Sequence, residues 1–249
     1  MYEFLKNLVS GNAIKITEVA AEPECKHFYF DFGTNVGIQT RKLFQPELYP
    51  GSGILPYFNM YFGEPSERRI PGAVCAIGVE PNTVHDEALY LLETSYNRQK
   101  WFTRFYTRSG VGVSPGWMLL HSDGDTVNNE LGAHLVSDVI KVNVNTPGAV
   151  KILDVVELIN SYLNSQMGRS SNTLNRKIVV KVDIEGMDTT VIHYLNTSGV
   201  LCKIDFVYVE HMKSDEIQIL NDNLLNQGCP TLIIFMDDEE YHNSNFPLP

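Results

Sequence analysis

Short apolar runs that end in polar or glycine residues, separated by stretches with helical spacing, constrain this chain more than any other feature. HFYFDF (27–32), AVCAIGVE (73–80), WFTRFYT (101–107), KIVVKVDI (177–184), KIDFVYVE (203–210) and TLIIFM (231–236) read as strands. Aromatic and β-branched residues crowded into about 4–8 positions suit a pleated surface covered on both sides. Between them, 34–44, 84–97, about 187–197 and 214–227 read as helices, with Ala88, Leu91 and Leu92 at helical spacing in the second and Gly228 stopping the last. Strands alternating with helices predict one α/β domain over 1–249, built on an open, mostly parallel sheet with helices on both faces.

Two stretches break the rhythm. Residues 44–72 combine Pro46, Pro50, Pro56, Pro65 and Pro71 with the aromatics Phe44, Tyr49, Tyr57, Phe58, Tyr61 and Phe62. Proline at that density predicts an ordered loop without regular elements, an insert after the first helix that could serve as a lid over an acceptor. In 108–150, VIKVNVN (139–145) suggests extra strands, followed by a helix at about 151–165 and a surface loop at 165–176.

Composition serves mainly to exclude. Lys and Arg number 19 against 30 Asp and Glu, a net charge of −11, which disfavours a phosphate-backbone binder. No run approaches the length of a membrane span, and MYEFLKNLVSGNAIKI lacks the apolar core of a secretory signal. The four cysteines, Cys25, Cys75, Cys202 and Cys229, are far apart and form no CxxC. They read as unpaired buried thiols, and the expected setting is reducing and cytoplasmic. The seven histidines include no HExxH, and Asp237-Asp238-Glu239-Glu240 reads as a solvated acidic face.

Four motifs carry chemistry. Asp31-Phe32-Gly33-Thr34-Asn35-Val36-Gly37 links the first strand to the first helix, with Gly33 and Gly37 allowing close backbone approach. It is not GxGxxG, so the dinucleotide fingerprint of a nicotinamide oxidoreductase is missing. Glu80-Pro81-Asn82 ends the second strand, where an acid can accept both ribose hydroxyls of a nucleoside. Asp183 and Glu185 end the fourth strand and Glu210 and His211 the fifth. Alternation puts Asp183 and Glu185 on one side if the strand extends that far. A carboxylate or imidazole there could take a proton from a hydroxyl, or Asp183 and Glu210 could share a divalent cation. Helix capping is the plainer alternative for each acid. Gly112-Val113-Ser114-Pro115-Gly116 matches the hydrolase GxSxG, but Pro115 lacks the N–H that an oxyanion hole needs there.

FDFGTNVG, GVEPN, VVKVDIEGMD and FVYVEH, in this order over residues 28–211, resemble the FkbM-like family of S-adenosylmethionine-dependent methyltransferases. The resemblance implies a Rossmann-like class I methyltransferase sheet and methyl transfer to oxygen, often on a sugar or glycan. It implies that Asp31, Gly33, Thr34, Asn35, Gly37, Glu80, Pro81 and Asn82 hold S-adenosylmethionine; Ser109 and Gly110, by their place at the end of the third strand, could border its adenine. Asp183 or His211 would then be the base, with Glu185 and Glu210 beside them. Thr34 and Asp188 depart from the family pattern conservatively, while the 44–72 insert lies outside it. The expected partner is a small-molecule or glycan acceptor; a non-catalytic cofactor-binding module is the alternative.

Overall fold

The computed structural model describes residues 24–121, 134–136, 142–165, 175–238 and 246–249. The N-terminal signal reading, residues 139–141 of VIKVNVN, most of the 165–176 loop, and Glu239 and Glu240 lie outside them. Among the described residues, no helix is long and apolar enough to cross a membrane.

The central layer is a six-stranded, all-parallel sheet. Its strands are β1 (His27–Phe32), β2 (Val74–Glu80), β3 (Thr103–Thr107), β8 (Ile178–Val182), β9 (Phe206–Val209) and β10 (Leu232–Phe235). Their spatial order is β3-β2-β1-β8-β9-β10. Counted within this sheet alone, that is the 3-2-1-4-5-6 order of doubly wound folds. The order reverses between β1 and β8, which pair in parallel with Asp31 opposite Lys181.

Period two decides what each face buries. Phe28, Phe30 and Phe32 of β1 join α5 (Val155–Asn164), α6 (Asp188–Thr197) and α7 (Ser214–Asn226) in one apolar cluster. Tyr29 points the other way, into a cluster with α1 (Ile38–Phe44), α2 (Leu55–Phe62) and α4 (Asp86–Arg98). Helices therefore cover both faces, as the strand runs require.

A second, smaller sheet fills the stretch after β3. Its strands are β4 (Ser109–Gly112), β5 (Gly116–His121), β6 (His134–Val136) and β7 (Ala149–Asp154), in the order β4-β7-β5-β6. The extra strands expected between 108 and 150 exist, but residues 142–145 of VIKVNVN are not among them. Residues 151–154, expected to open a helix, belong to β7. Val150, Ile152 and Asp154 are buried while their neighbours are less so, which is strand alternation. Helix α5 begins after Asp154, whose side chain accepts the Glu157 N–H at 2.9 Å.

The proline-rich insert is not a loop. Pro46, Pro56 and Pro65 each sit in the first turn of a helix: a short 3₁₀ turn at Pro46–Leu48, α2, and α3 (Pro65–Arg68). Proline is pre-organised there because its missing N–H would have no partner anyway. The insert's aromatics are packed into the body of the protein. Phe44, Tyr49, Phe58 and Phe62 are buried, and Tyr57 and Tyr61 stack on Phe206 at 4.5 and 5.2 Å between ring centres. Phe206 opens β9, so the stacking of Tyr57 and Tyr61 lies toward the N-terminal end of the sheet, whereas Tyr49 packs with Val36 and Ile38 beside the glycine turn.

The cysteine reading is corrected. Cys25 pairs with Cys75 and Cys202 with Cys229, and no cysteine is free. Residues 50 and 27 positions apart in sequence become neighbours because parallel strands bring their starting ends together. The Cα separations of 5.9 and 4.8 Å lie within bridging range. The expectation of a reducing setting rested on unpaired thiols and loses that basis.

Asp238 is also corrected from a solvated acid to a buried junction. Its carboxylate pairs with the fully buried Lys42 ammonium at 3.0 Å and accepts from Ser52 Oγ at 2.6 Å and the Gly53 N–H at 2.9 Å.

Candidate active site

The turn after β1 is built against its neighbours. The Gly33 and Thr34 N–H groups both donate to the Val79 carbonyl. Gly33 has φ +76°, and a β-carbon there would lie 1.7 Å from the Asp183 carbonyl oxygen. Gly37, at φ +85°, would strike Leu92 of α4. Both glycines are thus required by the protein's own packing. Asp31 is fully buried beneath the turn, where its Oδ2 accepts from Thr34 Oγ1 at 2.6 Å. Burial raises its carboxyl above the ordinary range, against the pull of Lys181. Asp31 therefore shapes the turn from below.

Glu80 joins two of the motifs. One carboxylate oxygen accepts the Asn35 N–H and the other the Asn82 N–H, each at 2.8 Å. Asn35 reaches this position with φ +49°, a conformation asparagine tolerates better than most residues. Burial pushes the Glu80 carboxyl up to about 7 against the stabilising effect of those two hydrogen bonds. Each oxygen keeps a lone pair for a further donor. Pro81 is half-buried, and Asn82 Oδ1 accepts the Val84 N–H at the start of the next turn.

Across the switch point, strand β8 ends at Val182, so alternation cannot bring Asp183 and Glu185 together. A turn does it instead: Glu185 adopts φ +49° ahead of Gly186 at +92°. His211, at the end of β9, has its Nε2 3.5 Å from Asp183 Oδ1 and 3.4 Å from Glu185 Oε1. The hydrogen bond to Asp183 raises the imidazole to about 9 against the effect of burial, helped by Glu185 and Asp188. Burial alone would raise the Asp183 carboxyl, but Lys181 and His211 overcome it and hold the group near 2. Burial raises Glu185. Glu210, expected beside Asp183, is not part of this trio. Its backbone N–H continues the ladder to the Val182 carbonyl.

Two residues of the VVKVDIEGMD motif were given no role by the sequence reading. Lys181 is buried, and its ammonium donates to Asp183 Oδ2 at 2.7 Å and to the Gly33 carbonyl at 2.9 Å, with Asp31 Oδ1 at 3.9 Å. It ties β1 to β8 at the switch. Its signal was a lone lysine in an apolar strand, which must find partners when buried. Asp188, at the start of α6, is 1% exposed. Burial and the nearby Asp183 raise its carboxyl.

Ser109 and Gly110 open the second sheet, just past Thr107, which pairs with Glu80. The chain turns at Arg108, φ +53°, out of the main sheet and into β4. Ser109 Oγ donates back to the Thr107 carbonyl, and Gly110 packs on Leu135 and Ile152. Ser114 of the GxSxG sequence lies in the connection between β4 and β5, not on a strand-to-helix elbow.

No protein-family model, no curated protein and no solved structure matches this chain.

Proposed function

We propose that the chain is an S-adenosylmethionine-dependent O-methyltransferase of the FkbM-like type, acting on a hydroxyl of a sugar or glycan. The observation that carries the reading is the pair of hydrogen bonds through which Glu80 joins the glycine turn after β1 to the loop after β2. They make one continuous rim at the carboxyl ends of adjacent parallel strands, beside the switch point, where open α/β sheets bind ligands. A buried carboxylate with a spare lone pair on each oxygen fits a ribose diol. The acids at this edge, Asp31, Glu80, Asp183, Glu185 and Asp188, suit a cationic ligand and favour release of a neutral one.

When bound, the cofactor supplies an electrophilic methyl on a sulfonium. The chain's own groups hold the partners. Glu80 and the 33–37 turn fix the nucleoside side of the cleft. Asp183, oriented by Lys181, and His211 align the acceptor hydroxyl, and Glu185, whose carboxyl burial raises, receives its proton. The four paired cysteines fit maturation in an oxidising compartment, where glycans are also assembled.

Calorimetric titration with S-adenosylmethionine tests the reading. Glu80→Ala should weaken binding by tenfold or more, whereas Asp183→Asn and His211→Ala should keep binding within a few-fold and lose at least tenfold in methyl transfer to a glycan panel. Failure of the unaltered protein to bind S-adenosylmethionine rejects the assignment. Unchanged turnover in both latter variants removes Asp183 and His211 from the chemistry.

A further inference from the structure

We infer that Asp183, Glu185 and His211 form a binding site for a divalent cation of the Mn²⁺ or Zn²⁺ kind. One ligand atom from each lies within 4.8 Å of the other two. The histidine nitrogen stands 3.5 and 3.4 Å from the two carboxylate oxygens. Ligands held about 2.1 Å from a shared tetrahedral ion stand about 3.4 Å apart, so small side-chain adjustments close the site. The donors come from the loops after two neighbouring strands, β8 and β9, and are held by the sheet itself.

A second observation points the same way. Asp188 Oδ2 is buried and accepts no hydrogen bond. The Asp183 charge raises the Asp188 carboxyl, and the Asp188 charge in turn acts on Glu185 and His211. A carboxylate oxygen without a donor is costly to bury. A cation, or water bound to one, supplies the missing positive charge. Lys181 meanwhile holds Asp183 by Oδ2 and leaves Oδ1 toward His211, as partners behind a metal ligand do.

The donor set selects the ion. Two carboxylates and an imidazole suit first-row metals better than Ca²⁺ or Mg²⁺, which favour oxygen alone. Glu185 and His211 are 32% and 39% exposed at their side chains, so one side stays open to a further oxygen ligand. An acceptor hydroxyl bound there would lose its proton to solvent more readily. Its oxygen would gain the methyl as the carbon–sulfur bond breaks, leaving a methyl ether, a neutral thioether and one proton. That last role rests on the methyltransferase reading; ion binding does not.

The test is titration of chelator-stripped full chain with MnCl₂, followed by the electron paramagnetic resonance of free Mn²⁺, and with ZnCl₂ by calorimetry. Uptake of one ion per chain is expected, weakened at least tenfold by Glu185→Gln and by His211→Asn, with circular-dichroism melts confirming folded variants. His121 and His134, opposite each other on β5 and β6, are the control, and His121→Ala should leave the titration unchanged. No uptake of either ion, or uptake that Glu185→Gln and His211→Asn leave unaltered, overturns the site. Ion uptake without S-adenosylmethionine binding overturns the methyltransferase reading instead, and the converse overturns only the ion site.

Discussion

His27 stays neutral because of where β1 begins. Its Nδ1 accepts the Lys177 N–H at 2.9 Å, a bond that only an unprotonated nitrogen can accept. Burial, reinforced by Lys26, Lys177 and Arg176 and opposed by Asp205, lowers the imidazole to about 4. The folded pKa lies below the unfolded value of 6.5, so protons favour the unfolded chain. The stabilisation is complete above pH 6.5, declines as pH falls, and is gone near pH 4. With allowance for residual solvent screening it amounts to about 2 kcal/mol. Unfolding free energies from urea titrations at pH 7.5 and 5 should differ by about 1–2 kcal/mol more in the unaltered protein than in His27→Gln. Equal pH dependence would sink the assignment. At this scale the sequence was only partly legible. The motif glycines were visible, but Gly33 is required by the Asp183 carbonyl, a contact no local pattern reveals. Lys181 stood in a recognised motif, and its role as a tie could have been read, since a charge inside an apolar strand needs a partner.

Strands of the main sheet were the most legible elements, because a segment buried on both faces has little freedom in composition. The insert misled for a specific reason: proline excludes helix interiors but favours helix starts, so proline density alone does not separate a loop from several short helices. Asp183 and Glu185 converge through the left-handed conformation of Glu185 rather than through strand alternation. Pairing across the sheet was equally hidden, and with it the disulfides. Cys25–Cys75 closes a loop of 50 residues and Cys202–Cys229 one of 27. Chain-entropy arguments put their ceilings near 4 and 3.5 kcal/mol. Cys75→Ala and Cys229→Ala should each lower stability by about 2–4 kcal/mol in denaturant titrations. The unaltered, unfolded chain should take up no maleimide until reductant is added. Labelling without reductant would show that the cysteines are free.

Over the whole molecule, two facts of position connect the net charge to the architecture. Several acids gather at the switch-point edge, while others act as internal ties, and Asp238 is the clearest of these. It follows β10, the last strand among the described residues, and reaches back to Lys42 on α1 and to Ser52 and Gly53 in the insert. Its backbone carbonyl also accepts from Gln39 Nε2 at 3.0 Å and from the Lys42 ammonium. The residues just after β10 thereby hold the helix that leads out of the glycine turn. Lys42 has no exposed side-chain surface, so loss of the carboxylate leaves a buried ammonium with fewer anionic contacts. Removing one partner of such a pair costs about 3–5 kcal/mol, more than the pair itself contributes. The retained carbonyl contact places Asp238→Ala at the lower end, about 3 kcal/mol in urea unfolding. Asp238→Asn, which keeps the acceptor oxygen for Ser52 or Gly53, should cost less. If the tie also positions the glycine turn through α1, Asp238→Ala should weaken S-adenosylmethionine binding several-fold even where the protein is fully folded. Wild-type affinity in folded Asp238→Ala would confine Asp238 to stability, and wild-type unfolding midpoints would remove it from both roles.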